Sequence, residues 1–440
     1  MKYKRFVGVL LAAALTASTD ASAGTWATQA TLANNAYQGS VTLDASGNMV
    51  SVWYQNAVNG SSVSEIWGSS AVIGQAWSVP VDISGGVGSA TGDAYLRGSS
   101  KGNVTTLYTG SIGAAYADKP LSGAWTSPLS LNGVVQFYVG NESGVEGLAW
   151  GTGGARGSSS TVMAMRRPAG GAWSAPATIA AAAHLDFDGA VVAPDGSMAV
   201  AWESFNSVCG SRTCTTSNWV LHVSTLAAGS QTWVDSGGLL GPDTKQHFGQ
   251  LAADSVGDLG VISEQNGNVV STVRHGTTWA GTVVVITNPG MGFNTGTGHD
   301  NRIFGSDSTG HATLVGWTDD HLIALGAIDG NLTTNTWGAM TTISGADQSP
   351  GYFDFAMSSS GAAIVFYPLL LQSGTTEWRA ITRPGTGKAW NAPATAGTSY
   401  EGSGQPDGVA VNAAGQAAVV FHGLSSDFTT NILYTNTYKP

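Results

Sequence analysis

An all-β chain built from eight repeats is the fold class this sequence predicts, and three observations predict it. The first is a ten-residue stretch, DASGNMVSVW from Asp44 to Trp53, that returns along the chain with Gly as its fourth residue. Seven further copies start at Ser99, Asn141, Ala193, Asp254, Asp307, Ser358 and Asn412. The second is a recurring tryptophan: Trp26, Trp77, Trp125, Trp173, Trp233, Trp279, Trp337 and Trp390, with gaps of 51, 48, 48, 60, 46, 58 and 53 residues. The third is period-two alternation of Val, Ala and aromatic residues around each Gly. That is the signature of half-buried antiparallel strands, and no stretch shows a helical period.

A repeat of about fifty residues made of short strands points to a β-propeller. A β-solenoid needs a much shorter period, and tandem sandwich domains need about twice this length. Each repeat parses in chain order. The innermost strand, such as GSVTLDA or GAVVAPD, runs into the Gly turn, and the second, such as NMVSVWY or SMAVAWE, leaves it. A loop of variable length leads to the third, such as TVMAMRRP or EWRAITRP. A short Gly-rich turn then brings the Trp strand, as in AWSVPVDIS and AWSAPATIA. Asp and Ser at the turn fit as turn formers whose side chains bond nearby amides.

The chain ends bear on closure. The last repeat finishes as a third strand, NILYTNTYKP, while GTWATQATLA near the start is a Trp strand with nothing before it. The expectation is an eight-bladed propeller with four antiparallel strands per blade. Its N-terminal strand completes the last blade and so removes exposed sheet edges. Residues 24–440 then form one domain. Residues 1–23 read as a signal peptide: Lys2, Lys4 and Arg5, an apolar run from Phe6 to Ala14, and a small-residue cleavage site at Ala21-Ser22-Ala23. The run is too short to span a bilayer. A secreted or periplasmic monomer without membrane insertion is expected.

Charge excludes some partners. The formal net charge is −11, from 17 basic and 28 acidic residues, and loss of the leader takes it to 14 − 27 = −13. Nucleic acid and anionic membranes have no basic surface to meet. Cys209 and Cys214, in SVCGSRTCTT, are the two cysteines, and in an exported chain they are expected to form one local disulfide. No cofactor is expected. Calcium lacks a complete ligand set, since APDG, DASG and LDFDG (Leu185 to Gly189) each stop short of one.

In such a ring the Gly turns lie on one face. The loops between second and third strands, and the entries to the innermost strands, share the other, loop-rich face. Early repeats place Tyr37, Gln38, Asp93, Val134 and Val135 at those entries. Later ones are more polar: His184, Asp186 and Asp188; Lys245, Gln246 and His247; His299, Asp300, Asn301 and Arg302; Tyr352 and Asp354; Gln405 and Asp407. Loops on the same face add Glu203, Glu264, Gln265, Asp319, Asp320, His321 and His422. The expected ligand-binding set is His184, Asp186, His247, His299, Asp300, Asn301, Tyr352 and Gln405, an uneven crown suited to orienting a polar ligand. A catalytic alternative makes His247, His299 and Tyr352 the acid and base, with Arg302 or Asn301 neutralising a carboxylate, as a uronate lyase requires. Asp186 with Asp300 would be the carboxylate pair of a hydrolase. A metal on His184, His247 and His299 is disfavoured by their unequal offsets from the motif Gly. No GxSxG nucleophile elbow is present, and GTGGARG lacks the helix a phosphate cradle needs.

On its Trp and Gly-turn framework the chain from Gly24 to Pro440 resembles the eight-bladed β-propellers of secreted bacterial proteins. It lacks the S-x-D-x-G-x-T-W box of sialidases, since Trp53 lies nine residues after Asp44 on the following strand, and it lacks the WD pattern of WD40 proteins. No family's catalytic residues transfer by position. The expected function is binding of an extracellular polar ligand, a carbohydrate, at one site on the loop-rich face. The alternatives are a polysaccharide-degrading enzyme, a lyase before a hydrolase, and a periplasmic or surface interaction scaffold.

Overall fold

The structure, a computed structural model, describes residues 24–56, 64–84, 90–98, 103–110, 113–120, 123–131, 134–140, 144–152, 159–209, 214–243, 249–287, 303–318, 324–345, 352–400 and 406–440. Among them the chain forms strands and no helix. The strands fall into eight antiparallel meanders, called units here. The first unit is Ala36–Leu43, Asn48–Asn56, Ser64–Val72 and Val81–Asp82; the seventh is Asp354–Met357, Ala363–Leu370, Thr375–Arg383 and Ala394–Tyr400. The eighth is Gly408–Val411, Ala417–Leu424 and Asn431–Lys439, with Thr25–Trp26 and Ala30–Asn34 from the start of the chain on its outer edge. The first strand of each unit touches the first strand of the next, and that of the eighth touches that of the first.

In the copies at Asp44, Asp254, Asp307 and Asn412 the repeated stretch is a turn with one geometry. Asp44 is buried, and its Oδ1 accepts the N–H groups of Ser46 and Asn48, both at 2.8 Å. Gly47 between them sits at a φ of 83°, which a side chain would strain. Asp254, Asp307 and Asn412 accept the amides two and four residues ahead in the same way. Successive turns also bond to one another. Ser255 N–H donates to Ser308 O at 3.1 Å, and Ser308 N–H to Ser359 O at 2.9 Å. Ser360 Oγ donates to Ala413 O at 2.9 Å, and Asn412 Nδ2 to Asp44 O at 3.0 Å. The turn is framework, as its sequence implies.

The recurring Trp is the second fixture. The residue after it donates its N–H to a third-strand carbonyl: Ser78 to Ser70, Thr126 to Asp118, Ser174 to Arg166, Ala280 to Val273, Gly338 to Asp329 and Asn391 to Thr382, at 2.8–2.9 Å. Ala27, after Trp26, does the same to Thr437 at 2.9 Å. Each indole is half-buried and packs on the core its unit shares with the preceding unit. Trp77 lies on Leu43, Trp53 and Val420, and Trp125 on Val52, Ile66 and Leu96. Trp173 lies on Leu107 and Leu148, and Trp26 on Phe366, Trp378 and Phe421. A four-stranded sheet has two faces to hide, and neighbouring units hide them for each other.

Three features depart from eight separate four-stranded sheets, and the first is that the seventh and eighth units join in one nine-stranded sheet where Tyr400 pairs with Leu424. The strand Ala177–Val192 pairs first with Ser159–Arg167 and then with Met198–Cys209, so it ends the third unit and begins the fourth within one eight-stranded sheet. ATIAAAAHLDFD contains no Gly or Pro to break it. The outer strands are also short. In the fifth and sixth units they split into Thr278–Trp279 with Val283–Ile286, and Thr336–Trp337 with Thr341–Thr342.

A pair of matching arginine clamps ties units together. Arg383, before Pro384, reaches into the sixth unit: Nη1 bonds Asp329 at 2.7 Å and Nη2 bonds Thr313 at 2.7 Å, while its guanidinium lies 4.8 Å from the Trp390 ring. Arg167, before Pro168, reaches Asp118 at 2.9 Å and Thr105 at 3.1 Å in the second unit, 4.7 Å from the Trp173 ring. It also pairs with Glu146, which is fully buried. Removing a charge from a buried pair costs about 3 kcal/mol, whereas a solvated partner loses much less. Asp329 is 62% exposed. Arg167→Ala is therefore expected to lower unfolding free energy by about 3 kcal/mol, and Arg383→Ala by about 1–2 kcal/mol. Urea denaturation of the two variants checks the order.

Candidate functional site

Strand direction fixes which residues reach the loop-rich face: the ends of second strands, the starts of third strands and the entries to first strands. Of the sequence-predicted set, His184, Asp186 and Tyr352 can be placed; His247, His299, Asp300, Asn301, Arg302 and Gln405 lie outside the described residues. The convergence of His247, His299 and Tyr352 that a lyase needs, and any Asp186–Asp300 pairing, therefore lie outside them too. So does a metal held by three imidazoles. Cys209 and Cys214 face each other in backbone register across the hairpin of the fourth unit, but their side chains lie outside the described residues.

In the fourth unit His184 is half-buried and stacks on Phe205 at 5.5 Å between centroids. Phe205 stacks in turn on Trp219 at 4.0 Å. Asp186 sits opposite Glu203, and its Oδ1 accepts the Phe187 N–H at 2.9 Å. On the other face of the same strands His222 stacks on Trp202 at 4.0 Å, with its ring nitrogens 3.2 Å from Ser204 Oγ and 3.3 Å from Asp235. Tyr352 leads into the seventh unit and is exposed, beside a Phe353 that meets Trp317 edge-on at 5.2 Å. No hydrogen bond or ring contact joins His184 or Asp186 to Tyr352 among the described residues.

The seventh and eighth units hold a denser group. Among the described residues the exposed aromatic rings are Tyr352, Tyr400 and Phe428, at 37%, 40% and 53%, all at the loop-rich ends of these two units. Leu370 and Leu371, in the loop of the seventh unit, are exposed as well. Tyr400 and Phe428 meet edge-to-face at 5.8 Å. Tyr400 pairs with Leu424 on the inner edge of the eighth unit, in the place that Gly408–Val411 occupies further along. Below this rim the buried Phe366, Trp378 and Phe421 and the half-buried Tyr434 form a continuous ladder.

Two pairs of charged groups lie beside the rings. His422 Nδ1 lies 2.8 Å from both carboxylate oxygens of Asp407, with side chains 14% and 4% exposed. Burial by itself would lower the imidazole pKa, but the Asp407 charge and hydrogen bond overcome it and the net shift is upward. Burial, with the Tyr400 phenol nearby, raises the Tyr434 pKa. Glu377 bonds Arg379 at 3.0 Å. Burial acts to raise its pKa, yet hydrogen bonds from Thr395 and Arg379 leave it below the usual carboxylate range. Burial pushes the Tyr367 hydroxyl up to about 12.

No protein-family model matches this chain, and no curated protein matches it. Solved structures do. A mutant puromycin hydrolase aligns over 92% of this chain and 58% of its own, at 12% identity and a TM-score of 0.52. The β-propeller domain of the trilobed protease from Pyrococcus furiosus aligns over 84% and 97%, at 8% identity and a TM-score of 0.47. The polysaccharide lyase Uly1 aligns over 80% and 88%, at 10% identity and a TM-score of 0.44. The chain is all-β, with a β-propeller among the structures it resembles. It spans less than two thirds of the hydrolase, and at these identities the likeness concerns fold alone.

The upward shift of His422 carries a sign. A His held protonated by a folded-state partner adds stability that is complete below its unfolded pKa of about 6.5 and is lost as pH rises through the higher folded value. The difference in unfolding free energy between the parent chain and His422→Gln is expected to shrink as pH rises above about 6.5. Urea midpoints of both proteins across neutral and mildly alkaline pH measure it.

Proposed function

We propose that the eight units are the blades of one closed propeller and that the chain is an exported glycan-binding protein. Its site is on the loop-rich face at the seventh and eighth units. Support for closure comes from the cyclic order of first-strand contacts and from Ala27, which bonds the last strand as the residues after six of the other Trp bond their own third strands. The export reading also carries a Cys209–Cys214 disulfide, whose backbones already pair.

One observation carries the functional reading: the exposed pair Tyr400–Phe428 at the rim of the aromatic ladder, with hydrogen-bonding groups beside it. Sugars present a C–H face and a ring of hydroxyls, so they suit an exposed aromatic face flanked by fixed polar groups. Exposed rings cost solvation, and a protein that leaves three of them in one sector has a use for them there.

Titration of the full chain with soluble polysaccharides, followed by calorimetry or affinity electrophoresis, tests this. Tyr400→Ala and Phe428→Ala are each expected to weaken binding about tenfold or more, a loss of ~1.4 kcal/mol. Val283→Ala, on the outer edge of the fifth unit, is expected to leave it unchanged. Binding that both aromatic variants retain in full would move the site elsewhere.

A further inference from the structure

We infer that His422, held in place by Asp407, is the polar anchor of this site and that the ligand it takes is an uncharged glycan. This rests on the glycan-binding reading of the same sector. The two ring nitrogens of His422 have different surroundings. Nδ1–H donates to the Asp407 carboxylate, 2.8 Å from each oxygen, which fixes both the ring plane and the tautomer. Nε2 has no hydrogen-bond partner among the described residues, and the side chain is 14% exposed. It is thus an oriented polar atom with unused capacity. It lies on the strand Ala417–Leu424, two residues before the Leu424 that pairs with Tyr400. Two residues of strand span about 7 Å. An anchor and a stacking ring at that separation suit one polymer chain crossing the rim.

The charge of the sector selects the ligand class. Asp407 cancels His422, and Glu377 cancels Arg379. Asp427, in the loop that carries Phe428, is an exposed carboxylate capped by Ser425 and Thr429. The described segments 370–375 and 425–430, with Tyr400, Pro406 and Asp407, contain no Lys or Arg, and the chain as a whole carries −11. A uronate or sulfated polymer would meet net negative charge with no cation from these segments to offset it. A neutral sugar needs donors and acceptors alone, and His422 supplies both: Nε2–H donates when the ring is protonated, and Nε2 accepts when it is neutral. A charged donor makes the stronger bond. The titratable groups on the strands packed around His422 are Asp407, Tyr37, Tyr400, Tyr434, Tyr438 and Lys439, and of these Asp407 sets its proton affinity.

Two isosteric substitutions in the full chain separate anchor from scaffold. In His422→Asn the side-chain amide can replace Nδ1 and keep the bond to Asp407, but the Nε2 position is empty. In His422→Gln the amide nitrogen reaches the Nε2 position and cannot titrate. The probes are xylan, mannan and β-glucan as uncharged polymers, and polygalacturonate and alginate as uronate polymers, with circular dichroism and thermal melting to confirm folding. The expected result is binding to an uncharged polymer that weakens about fivefold as pH rises through the titration of His422. His422→Asn is expected to lose tenfold or more, and His422→Gln to keep most of the affinity with a flat pH profile. If both folded variants bind as the parent does with an unchanged pH profile, His422 is not the anchor, even where Tyr400→Ala abolishes binding and the glycan reading stands. Tighter binding to polygalacturonate or alginate than to any uncharged polymer overturns the ligand class. Unimpaired binding in Tyr400→Ala and Phe428→Ala overturns the site itself.

Discussion

A four-stranded sheet with two apolar faces cannot hide either face alone, and the rest of this structure follows from that constraint. The faces are buried between units, so each unit's stability depends on its neighbours. The half-buried Trp of every outer strand sits over such a seam, and in seven of the eight units the amide that follows it bonds the third strand. On the turn side, the bonds from Ser255 to Ser308, Ser308 to Ser359 and Asn412 to Asp44 hold the registers of adjacent sheets. The arginine clamps do the same work more strongly at two seams, with the guanidinium lying over the Trp that covers them.

What repeats could be read from the sequence, because repetition marks a shared structural need. The Asp and Gly of DASG predict a turn with amides capped by a carboxylate, and Asp44, Asp254 and Asp307 do cap them. The Trp spacing gives the units. The fusion of the third and fourth units was harder to see, because an alternating Ala-rich run reads the same whether it ends one sheet or also starts the next. The clamps were hidden for another reason. Their Arg, Asp and Thr come from two different repeats and occur in only two places, so no single repeat announces them.

The candidate site shows the limit more sharply. Asp407 and His422 stand out as polar residues on the loop-rich face, but fifteen positions separate them and only the pairing of Gly408–Val411 with Ala417–Leu424 brings them together. Tyr400 and Phe428 carry no sequence signal beyond being aromatic near Gly and Ser. Their exposure is a property of the folded rim, where the strand Ala394–Tyr400 crosses to bridge the eighth unit at Leu424. The sequence reading centres on the fourth to seventh repeats because their strand entries are rich in His and Asp. Of the binding residues expected there, the described residues place His184, Asp186 and Tyr352, and His184 stacks on Phe205.

The pairing of Thr25 with Lys439 has a practical side. Both ends of the described chain emerge side by side, next to the turn at Gly415, on the face opposite Tyr400 and Phe428. A tether, tag or fused module attached at Gly24 or at Pro440 would therefore hang behind the molecule. The protein can be fixed to a bead, a sensor surface or a cell envelope and still hold its aromatic rim outward.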